Sequence, residues 1–266
     1  MLTSWTISWF LQRVYGKENM RGDIFGRPST TLAPPRAVPS RPRESRPTGL
    51  ANVGNSCYAS ALLHVLSTAL PPLPYRHGQA ELATAARRLR DASVLDGERL
   101  RRVQREMEAL VGARPGSWAS PVEVLDKLRL PPDVRRVDLA YAGGRCADFA
   151  RALDALDVRN DTAVAACTHL VVVLHYAHDC PTAPRFEGVL RVWSSRGARF
   201  ALRGIVANRA RSHYVAFVCG EAHGEARAED GERAWWLLND EHVRPVGSLS
   251  SALAGSYPEI FVYARE

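Results

Sequence analysis

The sequence predicts an α+β protein whose helical first half packs against an antiparallel β-sheet formed by the second half. Two observations carry this. Between Cys57 and Leu156 apolar residues recur at helical spacing. From Thr168 onward the apolar runs are instead short, β-branched and aromatic, with turn formers between them. Helices first and strands second favour segregated layers, and a cleft between the two lobes is the expected place for a site.

Taken in order, residues 1–20 carry Leu2, Trp5, Trp9, Phe10 and Val14 with little acidity. They read as an interfacial or targeting helix, or as a helix or frayed extension on the body. Residues 21–48 are rich in Pro, Arg and Ser, too poor in apolar surface to fold, and read as a linker. A folded domain is expected over 49–266, with a helical lobe over about 49–158 and a β lobe over about 165–266. Its first helix starts at Cys57, with Ser56 as N-cap and Tyr58, Ala61, Leu62, Val65 and Leu66 forming an inward face. Further helices are predicted over 81–92, 97–111, 120–130 and 147–156. Strands are predicted over 168–176, 188–194, 199–206, 213–220, 234–239 and 259–264.

Composition narrows the function classes. The 266 residues are 46% hydrophobic, enough for a real core, and the formal charge is +7, mostly from arginine. No aromatic-basic repeat or zinc-finger spacing accompanies that charge, which argues against nucleic acid as a partner. The five cysteines, at 57, 146, 167, 180 and 219, form no CxxC pair, and no secretory signal precedes them. That pattern points to free thiols in a reducing, intracellular setting. No apolar run is long enough to span a bilayer. His169, His175 and His178 lack acidic or thiolate partners at ligand spacing, so neither a metal nor a cofactor is expected.

Reactive chemistry concentrates at Cys57. A thiol at the start of a helix, after a glycine-polar turn, meets free backbone N–H groups and the positive end of the helix dipole, which favour thiolate. A cysteine nucleophile needs a base and a group to orient it. His213 opens the strand HYVAFVC, in which Tyr214, Ala216 and Val218 alternate with Val215, Phe217 and Cys219. Asn239 and Asp240 end the following strand, where an amide or carboxylate can hold the imidazole in its useful tautomer. The order Cys, His, Asn/Asp matches papain-like enzymes, in which Cys and His come from opposite lobes.

The local strings also resemble a family. GLANVGNSCYASALLHVL, from Gly49, is similar to the Cys box of the ubiquitin-specific proteases. SHYVAFV, AWWLLNDEHVRPV and SYPEIFVYARE resemble their His box and final strand. GGRCADFARALDAL and THLVVVLHY stand where the family has a Gln-rich helix and a strand ending in Lys-Arg-Phe. The resemblance spans Gly49 to Arg265. It implies a papain-like fold with the active site in the cleft, Cys57 as nucleophile, His213 as base and Asn239 as its orienting partner. It further implies Asn52 as an oxyanion-hole side chain, a contribution worth roughly 3 kcal/mol for such donors, and Asp240 as a second support for the histidine. Tyr214 would line the channel for a Gly-Gly tail, and Asp148 would contact substrate.

The chain departs from the family's pattern in three places. Leu156 and His169 are too close for zinc-bearing fingers, the Gln-rich run is replaced by Gly143, Gly144 and Arg145, and ANRARS replaces the glycine-rich loop before the histidine. The reading that follows is a thiol isopeptidase acting on ubiquitin or a ubiquitin-like protein. The rival is a ubiquitin-binding module of the same fold with weak or no activity. A ubiquitin partner implies a eukaryotic cell or an organism living inside one, and the small fingerless form would suit a virus or intracellular parasite.

Overall fold

The computed structural model describes residues 47–91, 93–141, 166–176, 191–193, 198–220 and 234–266. The expected N-terminal helix, most of the linker, the helix over 147–156 and parts of the strand over 188–194 lie outside the described residues, as do Asp148, Cys146 and Cys180.

Among the described residues four helices come first: α1 (Cys57–Ala69), α2 (Ala80–Arg90), α3 (Gly97–Val111) and α4 (Pro121–Lys127). Local chemistry sets their ends. The Asp96 carboxylate accepts from Arg99 N–H at the start of α3, and Gly112 closes it in the left-handed region at φ 70°. A capping box opens α4: the Ser120 hydroxyl accepts from the Val122 N–H and Glu123 accepts from the Ser120 N–H, with Pro121 in the first turn.

Among the described residues eight strands form one sheet: β1 (Val134–Tyr141), β2 (His169–Tyr176), β3 (Arg191–Trp193), β4 (Arg199–Arg209), β5 (His213–Cys219), β6 (Trp235–Asn239), β7 (His242–Val246) and β8 (Ser256–Arg265). A short helix, α5 (Leu249–Leu253), precedes β8. The order is β1-β2-β8-β4-β5-β6-β7, with β3 pairing on β4. The pairs are antiparallel except β1–β2, which is parallel. The fold is therefore mixed α/β rather than a helical half followed by a purely antiparallel one. β1 lies in the stretch expected to be helical, and Arg135 and Arg136 obscure its inward alternation of Val137, Leu139 and Tyr141.

Strand alternation sorts side chains into two cores. One unites α1–α4 with Val171, Val173, Val206, Tyr214, Ala216, Val218, Leu238, Ile260 and Val262. The other holds Val172, Ile205, Val215, Phe217 and Phe261, with Leu253 of α5. The expected split of β5 into alternating faces is observed.

Helix α1 corrects another expectation. It is buried on nearly all sides, not along one face, because it lies between the sheet and helices α2, α3 and α4. Leu62, Leu63, Val65 and Leu66 are each fully withdrawn from water, worth roughly 2 kcal/mol apiece. Gly204 admits the helix: a Cβ there would stand 3.0 Å from the Ala69 Cβ and 3.1 Å from a Val65 methyl. A register shift between Leu202 and Gly204 against β8 accompanies this close approach. The helix that begins at Cys57 is thus anchored in the core.

Candidate active site

Cys57 is the first residue of α1 and is only 5% exposed. The turn before it uses Gly54 at φ 86° and Asn55 at φ 46°, two residue types that accept the left-handed region. Ser56 occupies the N-cap position, but its hydroxyl makes no cap hydrogen bond. It turns back instead, accepting from the Val53 N–H at 3.0 Å and donating to Asn52 Oδ1 at 3.3 Å. Gln104 of α3 donates to the Gly54 carbonyl at 3.2 Å and holds this turn from below.

The histidine side is built by three strands. His213 opens β5, and its Nε2 lies 2.6 Å from Asn239 Oδ1 at the end of β6. An amide oxygen only accepts, so this bond puts the imidazole proton on Nε2 and leaves Nδ1 as the basic nitrogen. Asp240 begins the tight β6–β7 turn at φ 51°, with its Oδ2 4.0 Å from His213 Nε2. That carboxylate accepts from Asn52 Nδ2 at 2.9 Å, and its backbone carbonyl accepts from the Leu50 N–H at 3.0 Å. Asn52 commits one amide hydrogen to Asp240 and keeps a second. A Cβ on Gly49 would lie 2.4 Å from the Glu241 carbonyl oxygen, so only glycine lets the two segments meet here. Two segments almost two hundred residues apart are thereby joined.

The electrostatics of Cys57 differ from the expectation of a resting thiolate. Burial pushes the thiol up, and the Asp240 carboxylate adds to the rise. The N–H groups of Tyr214, Tyr58 and Cys57 itself act in the opposite direction, so the helix-terminus effect is real but loses to desolvation. At rest the group is therefore a thiol.

The structure joins Cys57 to Tyr214 and Asp240, Asp240 to Asn52, and His213 to Asn239, five of these being residues singled out for catalysis and the sixth, Tyr214, for the channel. Asp148 lies outside the described residues. Three neighbours of Tyr214 were not singled out in the sequence. Trp118, 46% exposed in the α3–α4 connection, stacks on Tyr214 with centroids 5.4 Å apart. Its loop is pinned by Gly116, whose N–H donates to Glu108 at 3.0 Å and whose carbonyl accepts from Asn55. Glu259 of β8 faces the Tyr214 hydroxyl, and buried Asn208 of β4 reaches both. A tryptophan in an aperiodic loop and one acid in a strand gave no signal, although the S-x-x-E box at Ser120 marked the adjoining helix start.

ANRARS is not a loop over the site. β4 continues through Arg209, and a tight turn with Ala210 at φ 50° and Arg211 at φ 57° leads directly into His213. Cys167 is buried, and burial pushes its thiol up. His175 pairs with Asp138 at 2.7 Å. Among the described residues no group of three His, Cys, Asp or Glu side chains is placed to hold a metal, and no helix is long and apolar enough to cross a membrane.

No family model matches the chain, and no curated protein matches it in sequence. Solved structures do match it in fold. One is the SAGA DUB module of Ubp8, Sgf11, Sus1 and Sgf73 bound to monoubiquitin, with a TM-score of 0.52 at 10% identity, over 100% of this chain and 76% of that one. Another is the same module bound to ubiquitin aldehyde, with a TM-score of 0.51 at 12% identity, over 83% of this chain and 70% of that one. At such identities the likeness is one of fold.

Proposed function

We propose that residues 49–266 are a catalytic domain that hydrolyses the isopeptide or peptide bond after the C-terminal glycine of ubiquitin or a ubiquitin-like protein. The carrying observation is the 2.6 Å bond from His213 to Asn239, which frees Nδ1 as base on the strand whose next residue donates its N–H to Cys57. The shared fold with DUB modules bound to ubiquitin supports the choice of substrate.

In this reading His213 Nδ1 takes the Cys57 proton as the sulfur attacks the glycine carbonyl. Asn52, through its second amide hydrogen, and the Cys57 N–H steady the oxyanion. The imidazolium then protonates the departing amine, and water, deprotonated by His213, releases the tail from the thioester. Asn239 orients the imidazole, Asp240 holds Asn52 and supports His213, and the aromatic ring of Tyr214 walls the channel. Asp148 is proposed as a substrate contact. Residues 1–48 are proposed as an appended segment, and the setting as the interior of a eukaryotic cell.

The test is ubiquitin carrying a C-terminal electrophile. A covalent adduct that disappears in Cys57→Ala is expected. Tight binding of ubiquitin without an adduct would favour the inactive binding module, and neither binding nor adduct with any ubiquitin-like protein would overturn the reading.

A further inference from the structure

Tyr214 is held at its far end by a polar cluster that the proposed chemistry does not use. Both Glu259 oxygens lie near its hydroxyl, at 3.2 and 3.3 Å, and the hydroxyl has one proton to give. Asn208, paired with Tyr214 across the β4–β5 ladder, reaches both groups with its amide. Its Oδ1 is nevertheless buried without a donor. Ser120 reaches the same hydroxyl from the start of α4. The other charged groups line up behind the carboxyl: His175 of β2, Asp138 and Arg136 of β1, and Asp126 of α4 on Arg136.

Each protonation state of Glu259 suits a different partner in this cluster. As a carboxylate it accepts a charge-assisted bond from the Tyr214 hydroxyl, along with the Asn208 amide. As a carboxylic acid it becomes a donor, and the unpaired Asn208 Oδ1 supplies the acceptor once the amide turns over. Burial pushes Glu259 up to about 7, so both states are populated near neutrality. At its near end Tyr214 gives its N–H to Cys57, and its ring carries the half-exposed indole of Trp118.

We propose that Glu259 is a positioning residue: as a carboxylate it anchors Tyr214 and the Trp118 stacked on it, fixing the aromatic wall past which a substrate tail reaches Cys57, and on protonation it loosens them. The functional half of this statement rests on the reading given under Proposed function. The coupling of Glu259 to Trp118 does not.

Two measurements on the full chain separate the halves. The first is the rate of adduct formation with electrophile-tipped ubiquitin divided by the rate of Cys57 alkylation by iodoacetamide, a ratio that cancels the titration of the thiol and its base. Replacing a charge-assisted bond by a neutral one should make this ratio rise about tenfold between about pH 6 and about pH 8. In Glu259→Gln it should be flat. The second is Trp118 emission, isolated by difference from Trp118→Phe, which should titrate with the same midpoint in the wild type and not in Glu259→Gln. Tyr214→Phe removes the hydroxyl through which the carboxylate holds the ring, so its Trp118 emission should also lose the transition; this variant keeps the test open if Glu259→Gln fails to fold. A silent Trp118 signal, or a transition that persists in Glu259→Gln, overturns the inference. A titrating Trp118 with neither binding of nor adduct to ubiquitin or any ubiquitin-like protein at any pH supports the Glu259 anchor and overturns the proposed function.

Discussion

Desolvation sets the protonation of three side chains around α1 and the sheet beneath it, in different directions. It keeps Cys57 a thiol, pushes Glu259 up to about 7, and lowers His64, which lies wholly inside the core, to about 3. The last two make opposite predictions for stability. Below its ordinary value of 6.5 an unfolded His64 gains a proton that the folded chain refuses, so stability falls as pH drops from 6.5 toward 3. Glu259 contributes most below its ordinary 4.5, and that contribution is lost as pH rises through about 7. Relative to wild type, His64→Leu should gain about 2 kcal/mol at about pH 5, and Glu259→Gln about 3 kcal/mol at about pH 8. Each advantage should shrink at the opposite pH. Urea denaturation at the two pH values measures this, and a gain independent of pH would assign it to packing instead. The meeting of His213 and Asn239 was legible because each stands at the end of a short apolar strand-like string. Glu259 and Trp118 were not, because their meaning lies in what they touch across the fold.

Among the elements, α3 was legible to its last residue, since Asp96 and Gly112 mark both ends. The β4–β5 hairpin was misread as a loop because Ala210 and Arg211 occupy left-handed positions where glycine or asparagine would have announced a turn. Arg211 recovers part of the strain by lying 5.0 Å over the Tyr257 ring. The extended segment before α1 is the other case. Gly49 touches the β6–β7 turn at backbone distance, and Leu50 and Asn52 bond to Asp240 just beyond. Gly49→Ala forces backbone against backbone and should cost about 2 kcal/mol in thermal denaturation, with the Cys57 adduct rate falling further than lost folded protein explains. An unchanged melting temperature and adduct rate would show that this segment is not seated on the turn.

For the whole molecule, strand order departs furthest from chain order at β8, which lies between β2 and β4 although it is the last strand. It carries Phe261, Tyr263, Ile260 and Val262 into the two cores, along with Glu259. Its β-branched and aromatic run over 259–264 was plain in the sequence, but its central place was not, because pairing partners are set by packing between distant segments. Deleting residues 256–266 should therefore abolish the cooperative thermal transition measured by circular dichroism, whereas a retained sharp melt would show that the remaining strands close without it.

That late central strand bears on how the protein is made. A ribosome that has passed Asp240 has already produced Asn52, Cys57, His213, Asn239 and Asp240, the residues proposed for the chemistry. It has not yet produced the strand on which β2 and β4 close. The nascent chain thus holds the Cys57 thiol while β2 and β4 still lack the strand between them, and the sheet closes only as β8 leaves the exit tunnel.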